Sequence, residues 1–460
     1  MRERKDRPNI ILVNCDDLGY GDLGCYGSDV NDSPTLDRMA EEGIRFTDFY
    51  MASPVCSPSR GAMLTGCYPR RIGFDQFDGG VKVLFPGNST GLSSAETTIA
   101  DLLKGEGYAT KLIGKWHCGD QPDFLPTRHG FDSYYGIPYS NDMGRQAGTH
   151  RRSFPPLPLL LDEEVVELQP QQEGLTERYV EASIRFIREN RDQPFFLYLA
   201  HMYVHLPIYV QQPFLARSRN GAYGGAVACI DWAMGMLRCE LRRLGLEQNT
   251  LIIFTSDNGA RGDHGGSNGP LRGRKGTTWE GGQRVPCIMC WPGVIEGGRV
   301  CRELISSIDF LPTLANLAGA QVPSDRIIDG KDLGGLILGS SEGSTPREEF
   351  FYYNGGDLEA VRAGRWKLHV AKRREEILEL YDLESDIGES HNVAAEHPEI
   401  VEGLQARLAR CREDLGDDRT GVAGKNRRPI GRVSNPVPLT VDFESGYPYI
   451  QAEYDLEDRG

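Results

Sequence analysis

Short, unbroken apolar runs alternate with amphipathic stretches along most of the chain. "NIILVN", from Asn9, precedes the helix-like "SPTLDRMAEEG"; "ATKLIGKW" follows "TTIADLLKGEG"; "FFLYLA" follows "LTERYVEASIRFIREN"; "TLIIFTSD" follows "CIDWAMGMLRCELRRLG". Apolar runs this short and this continuous predict strands buried on both faces, and the amphipathic stretches predict the helices that cover them. The expected fold is α/β, with a mostly parallel central sheet flanked by helices.

Beyond "SSIDFLPTLANLAG" the pattern changes. From about Glu348, "EFFYYN", "EAVRAGRWKLHV" and "ELYDL" predict a small antiparallel sheet, and "HPEIVEGLQARLARCREDLG" a closing helix. The polar stretch "LGSSEGSTPRE" reads as a linker. Residues 7–338 are thus expected to form a large N-terminal domain, and 346–460 a smaller C-terminal α+β subdomain. After Asp417 the chain is polar and proline-rich and is expected to wrap the surface. No internal repeat stands out.

Composition adds limits. The 460 residues are 39% hydrophobic and 25% charged, ordinary for a globular chain with a large core. A net charge of −15 excludes a general nucleic-acid binder but allows a local cationic pocket. No run reaches the ~18 apolar residues of a membrane span. Ile10 to Val13 flows into "CDDLGYG" with no cleavage site, so it reads as a strand rather than a signal peptide; the expected location is cytoplasmic, without a membrane partner. The eleven cysteines lack framework spacing and read as reduced thiols. Cys287 and Cys290, in "VPCIMCWPG", read as core packing.

Two motifs are decoys. "GYGDLG", from Gly19, fits a dinucleotide fingerprint, but Asp16 and Asp17 precede it and a turn-rich segment follows, so no helix opens to receive pyrophosphate. "GSSEG", from Gly339, lacks a strand-to-helix elbow and reads as linker.

The informative pattern lies where the predicted strands end. They deliver Asp16 and Asp17, then Lys115 and His117, then His201 and His205, then Asp257 and Asn258. Open α/β sheets bind ligands at this rim. Asp16, Asp17, Asp257 and Asn258 are hard oxygen donors suited to Ca²⁺ or Mg²⁺. Arg60, Lys115, His117, His205 and Lys275 suit an oxyanion, and together the two sets fit displacement at sulfur or phosphorus. In "SPVCSPSRGAMLTG", Pro58 is expected to open a helix capped by Ser57, placing Cys56 at a helix N-terminus. A soft thiolate beside a hard cation is an awkward nucleophile.

"PVCSPSRGAMLTG" resembles the first sulfatase signature, and "GYATKLIGKWH" the second. "DDLGYGDLGCYG", "SDNG" and "RKGTTWEGG" resemble metal- and sulfate-binding segments of that family, and "ELYDLESDIGESHNVA" its C-terminal segment. The resemblance spans about Arg7 to Gly416 and is closest to the arylsulfatase A and N-acetylgalactosamine-6-sulfatase group of the formylglycine-dependent sulfatases.

The resemblance implies an alkaline-phosphatase-like fold and hydrolysis of an aryl sulfate or sulfated sugar. It implies that a maturation enzyme reads C-x-P-x-R and oxidises Cys56 to formylglycine, whose hydrate is the nucleophile. Ca²⁺, or Mg²⁺, would be held by Asp16, Asp17, Cys56 in its matured form, Asp257 and Asn258. Asp257 would act as base, while Lys115, Lys275 and His205 hold the sulfate. His205 or Lys275 would protonate the leaving alcohol, His117 would deprotonate the second hydroxyl, and Arg60 would steady the diol. Arg274 stands where relatives often have glycine. His201, His264, Arg71 and Asp75 are further candidates around the pocket. The alternatives are a phosphonate monoester or phosphodiester hydrolase of the same superfamily, and a carbohydrate-binding relative without catalysis.

Overall fold

The computed structural model describes residues 7–146, 154–339, 345–440 and 451–456. Its centre is a ten-stranded sheet. Five neighbouring strands at its heart, Thr250–Ser256, Asn9–Cys15, Phe195–Ala200, Ala109–Gly114 and Ser133–Gly136, are all parallel. Asn9–Cys15 and Thr250–Ser256 are buried at every position, as unbroken apolar runs between helical layers should be.

The two flanks of the sheet depart from the expected rhythm. Cys287–Cys290 inserts antiparallel between Thr250–Ser256 and Ile44–Phe46, with Arg299–Cys301 completing that edge. All four residues of the inserted strand are buried and both its cysteines are free, in keeping with core packing. At the other edge a hairpin, Pro158–Leu161 and Glu164–Leu168, extends the sheet antiparallel.

The expected helices are present at Pro34–Glu42, Ile99–Gly105, Leu175–Glu189 and Gly221–Leu244. Ile99–Gly105 opens with a capping box, in which the Thr98 side chain accepts from Asp101 N while the Asp101 side chain accepts from Thr98 N. Apolar residues on either side of the sheet form two separate cores, one including Leu12, Phe46, Leu112 and Ile253, the other Val13, Ile113, Leu199 and Phe254. The alternation of neighbours between the two cores is the period-two geometry of a strand.

A four-stranded antiparallel sheet, Glu349–Asn354, Asp357–Ala363, Trp366–Lys372 and Glu375–Asp382, packs under the helix Pro398–Leu415. Its junction with the rest is ionic. Glu280 is fully buried; Lys367 Nζ lies 2.8 Å from its Oε1, and the Tyr352 hydroxyl donates to the same oxygen at 2.8 Å. Arg284, also buried, stands 3.3 Å from Oε2. Lys367 also pairs with Glu389 at 2.9 Å. Burial alone would raise the Glu280 carboxyl, but Lys367 and the two arginines Arg284 and Arg362 hold it well below the ordinary range.

The chain after Asp417 returns to the large sheet's surroundings. Gly431–Arg432 pairs with Thr90–Gly91, and Tyr454 is buried with its hydroxyl on Pro170 O. Most of the "GSSEG" segment lies outside the described residues.

Candidate active site

Strand ends converge on one buried pocket. Cys15 and Ser256 are register partners in parallel strands, so Asp16 and Asp257 leave the sheet side by side. Asp257 N donates to Cys15 O at 2.9 Å, Asp17 N to Asp257 Oδ1 at 3.3 Å, and Asn258 Nδ2 to Asp17 Oδ1 at 2.7 Å. Asp17 has φ of 63°, in the left-handed region that non-glycine residues occupy sparingly and chiefly at special sites. Just beyond, a Cβ at Gly19 would lie 2.2 Å from Ser267 O. The glycine of "GYGDLG" therefore serves close backbone packing under the site, not a nucleotide.

Cys56 is the first residue of the helix Cys56–Thr65. The expected start at Pro58 is corrected by two residues: Val55 occupies the cap position, and Ser57 Oγ accepts from Leu84 N at 3.1 Å instead of capping. Proline is tolerated in a first turn because the N–H it lacks would have no partner there. A ligand atom from each of Asp16, Cys56 and Asp257 lies within 4.8 Å of the others. One turn on, Arg60 places Nε and Nη2 each 2.8 Å from Asp257 Oδ2 and Nη1 3.0 Å from Lys115 O.

The strand Ala109–Gly114 delivers the next groups. Gly114 has φ of 107°, and a Cβ there would lie 2.0 Å from Ala200 O, so only glycine permits the turn into Lys115. Lys115 Nζ reaches Asp16 Oδ2 at 2.5 Å and Ser140 Oγ at 3.0 Å. His117, with φ of 59°, sets Nε2 3.0 Å from Leu84 O and leaves Nδ1 buried without a partner. His205 Nδ1 faces Leu206 O at 2.6 Å and Asn141 Oδ1 at 3.2 Å, while Nε2 lies 4.0 Å from Asp17 Oδ2. Lys275 Nζ donates to Asp17 Oδ2 at 2.8 Å.

The electrostatics divide the two central carboxylates. Burial and the neighbouring Asp16 push Asp257 up to about 7. Asp16 is equally buried, but Lys115, His205 and Arg60 hold it far below the usual carboxylate range. Burial lowers Lys115, yet Asp16 and Cys56 more than offset this and its value is raised. Burial also raises the Cys56 thiol to about 11 and, with Lys115, drives His117 well down. The cluster thus combines the buried Lys115, the half-buried Lys275 and a buried arginine with three carboxylates.

Its donor set fits a hard divalent cation. Asp16 Oδ1 and Asn258 Oδ1 are buried without hydrogen-bond partners, a costly state that a cation would relieve.

Other expectations are redirected. His201 is a braced core residue, with Nε2 3.1 Å from Thr176 Oγ1 and Nδ1 accepting from Tyr203 N. Arg71 and Asp75 are not at a pocket mouth. Arg71 is buried against Asp329 and Asp414, and Asp75 pairs with Arg70, because the C-terminal helix and the chain after it pack there. His264 and Arg274 lie on exposed loops beside Lys275. Ser140 and Asn141 were missed. They follow the strand Ser133–Gly136 within "PYSND", a polar strand end of the same kind as the others.

Comparison with known proteins gives a consistent result. The sulfatase family model matches residues 8–320, and the model for the C-terminal part of N-sulphoglucosamine sulphohydrolase matches 274–414. Arylsulfatase A of Homo sapiens is 40% identical over 456 residues, covering 88% of each chain. N-acetylgalactosamine-6-sulfatase of Rattus norvegicus is 41% identical over 377 residues, covering 79% of this chain and 71% of that one. The crystal structure of Ps i-CgsB in complex with k-i-k-neocarrahexaose superposes with a TM-score of 0.79 at 30% identity, covering 88% of this chain and 92% of the other. On these matches the chain belongs to the sulfatase family and is a sulfuric ester hydrolase.

Proposed function

We propose that this chain hydrolyses the sulfate ester of a sulfated sugar, with aryl sulfates as surrogates, through formylglycine made from Cys56 and a bound Ca²⁺. The observation that carries this reading is the convergence of donor atoms from Asp16, Cys56 and Asp257 within 4.8 Å, walled by Lys115 and Lys275. A thiol raised to about 11 is protonated near neutral pH and is a poor nucleophile, which favours its replacement by an oxygen group.

Asp16, Asp17, Asp257 and Asn258 would hold the cation, which when bound supplies Lewis acidity at a sulfate oxygen. The hydrated formylglycine supplies an oxygen nucleophile. Asp257, whose carboxylate lies beside Cys56, would accept its proton. Lys115 and Lys275 stabilise charge on the sulfate oxygens as the S–O bond breaks. His205 is fixed through Nδ1 by Leu206 O and Asn141 and turns Nε2 toward the departing group; in its doubly protonated form it, or else Lys275, would give the alkoxide its proton. His117, held through Nε2 by Leu84 O, keeps an open lone pair at Nδ1 for a second proton transfer. Overall, one water and one sulfate monoester give one alcohol and one hydrogen sulfate.

The names of N-acetylgalactosamine-6-sulfatase and of the neocarrahexaose complex support a sugar alcohol. The motif "CSPSR" supports a formylglycine-generating maturation enzyme as a partner.

The test compares an aryl sulfate with its phosphate and phosphonate counterparts, using enzyme co-expressed with a maturation enzyme, with Cys56→Ala as control. Sulfate turnover lost in the variant upholds the reading. A phosphonate or diester preference overturns it.

A further inference from the structure

His205 is held by a chain of contacts that ends in residues 451–456. Asn141 Nδ2 donates to Gln172 Oε1 and to Pro207 O, each at 2.9 Å, which leaves Asn141 Oδ1 facing His205 Nδ1 at 3.2 Å. Leu206 O lies 2.6 Å from the same nitrogen, so Nδ1 meets two acceptors and carries a proton. Gln172 Nε2 returns a bond to Asn141 O at 3.0 Å. The ring is therefore aimed by two supports, the segment 169–172 through Gln172 and the segment 206–209 through Leu206 and Pro207.

Residues 451–456 grip both supports. Tyr454, only 1% exposed, donates its hydroxyl to Pro170 O at 2.7 Å. Ala452 N donates to Gln169 O at 3.0 Å, and Gln169 Nε2 to Ala452 O at 3.3 Å. On the other side the rings of Tyr454 and Tyr209 lie 5.8 Å apart, and Leu456 N donates to the Tyr209 hydroxyl at 3.2 Å.

The plain explanation, that a buried tyrosine fastens the tail, does not account for where it fastens. Gln169 has φ of 52°, in the left-handed region, and such a conformation persists only where its surroundings over-determine it. Its side chain is fully engaged: Oε1 accepts from Arg145 N and Leu157 N, and Nε2 donates to Arg145 O as well as to Ala452 O. Ala452 thus supplies two of the bonds that keep this support in place. A Cβ at Gly144 would lie 2.8 Å from Tyr454 Cε2, so the neighbouring backbone leaves room for the ring.

We propose that Tyr454 is a positioning residue for departure of the alcohol, because the strap 451–456 holds the two supports that aim His205 at the leaving oxygen. As the S–O bond breaks, its electron pair stays on the alcohol oxygen, which takes the proton on Nε2 of the doubly protonated ring. The other proton stays on Nδ1, between Leu206 O and Asn141 Oδ1. A slack strap lets the ring swing and lengthens that transfer, while Lys115 and Lys275, set by Asp16 and Asp17, keep their places. The role rests on the sulfatase reading, in which His205 faces the departing group.

The experiment uses full-length matured enzyme, Tyr454→Phe, Tyr454→Ala, Asn141→Ala and the double alanine variant, with melting curves to show that each is folded at the assay temperature. Its substrates are aryl sulfates from 4-nitrophenyl to 4-methoxyphenyl and a monosulfated N-acetylhexosamine. Along that series the departing oxygen becomes more basic and needs a proton more. Tyr454→Ala should lose less than about threefold in kcat on the nitrophenyl ester and about tenfold on the methoxyphenyl ester and the sugar, with KM within about twofold. Asn141→Ala should show the same dependence, and the double variant should lose no more than Asn141→Ala alone, since both act through one ring. Tyr454→Phe keeps the ring against Tyr209 and gives up the bond to Pro170 O. It should fall between wild type and Tyr454→Ala, and it carries the test if Tyr454→Ala does not fold. Equal losses across the series would make Tyr454 a structural anchor and overturn the role, as would an unchanged kcat or additive losses in the double variant. A wild type that turns over none of these esters overturns the sulfatase reading and the role with it. Turnover with losses that ignore the leaving group overturns the role alone.

Discussion

Arg60 closes on a single oxygen of Asp257, with Nε and Nη2 each 2.8 Å from Oδ2. The other oxygen, Oδ1, is left to Asp17 N and to whatever binds between the carboxylates. A lysine at position 60 would keep the charge but not the fork. Arg60→Lys is therefore expected to lower kcat about a hundredfold and to lower the thermal midpoint, since Asp257 would lose a buried partner. Steady-state kinetics with calorimetric melting checks both; an unchanged kcat would show that the orientation of Asp257 does not matter.

Cys56 is buried, but its side chain is small and its helix is closed by Gly66 in the left-handed conformation whatever residue 56 is. Cys56→Ala should abolish sulfate turnover and leave the melting curve within experimental error. Intact-mass measurement of the wild type should show the replacement of CH₂–SH by CHO after co-expression with a maturation enzyme. Wild-type activity in Cys56→Ala would remove the nucleophile from the scheme.

The unpartnered oxygens of Asp16 and Asn258 predict metal-linked stability. Calcium at a hundred times its dissociation constant should stabilise the fold by about 2.7 kcal/mol, and a chelator should reverse the gain. Asp17→Asn and Asn258→Ala should blunt the response. The readout is the melting temperature against free calcium, with no turnover involved.

Acid should weaken the protein through two histidines remote from one another in sequence. Burial lowers His129 to about 4, with both ring nitrogens unpartnered, and lowers His201 to about 4 as well. Between pH ~4 and ~6.5 the unfolded chain binds protons that these rings refuse, so stability rises with pH across that window and is lost as pH falls through it. Each ring accounts for on the order of 3 kcal/mol over the full span. Denaturant melts from pH 4.5 to 7.5 should show this slope. His129→Phe should flatten it, and an equal slope in the variant would assign acid sensitivity to other groups.

The sequence exposes the rim of the site because each strand is a run of apolar residues that stops at a polar one. Asp16, Lys115, His205 and Asp257 are visible for that reason. Ser140 and Asn141 follow the same rule, but their strand, Ser133–Gly136, is four residues long and reads "SYYG", too short and too mixed to register as a run. The antiparallel Cys287–Cys290 has the apolar content of its parallel neighbours, so only pairing reveals its direction. Arg71 and Asp75 mislead by proximity to the nucleophile's helix. Arg71 is claimed by Asp329 and Asp414, 258 and 343 positions away, and contacts at that range leave no local trace; Asp75 is taken by its neighbour Arg70. The helix start at Cys56 is displaced from Pro58 because Ser57 is committed to Leu84.

Glu280 sits five positions after Lys275, and its charge is answered from the small sheet by Lys367. The stretch that sets Lys275 against Asp17 is thus moored at its far end by a buried ion pair belonging to another layer of the molecule. Lys367→Met would leave Glu280 without its nearest counter-ion, which typically costs about 3–5 kcal/mol, and should loosen a stretch whose first residue pairs with Asp17. Anyone trimming this protein to its large sheet would be sawing off the counterweight that keeps that arm level.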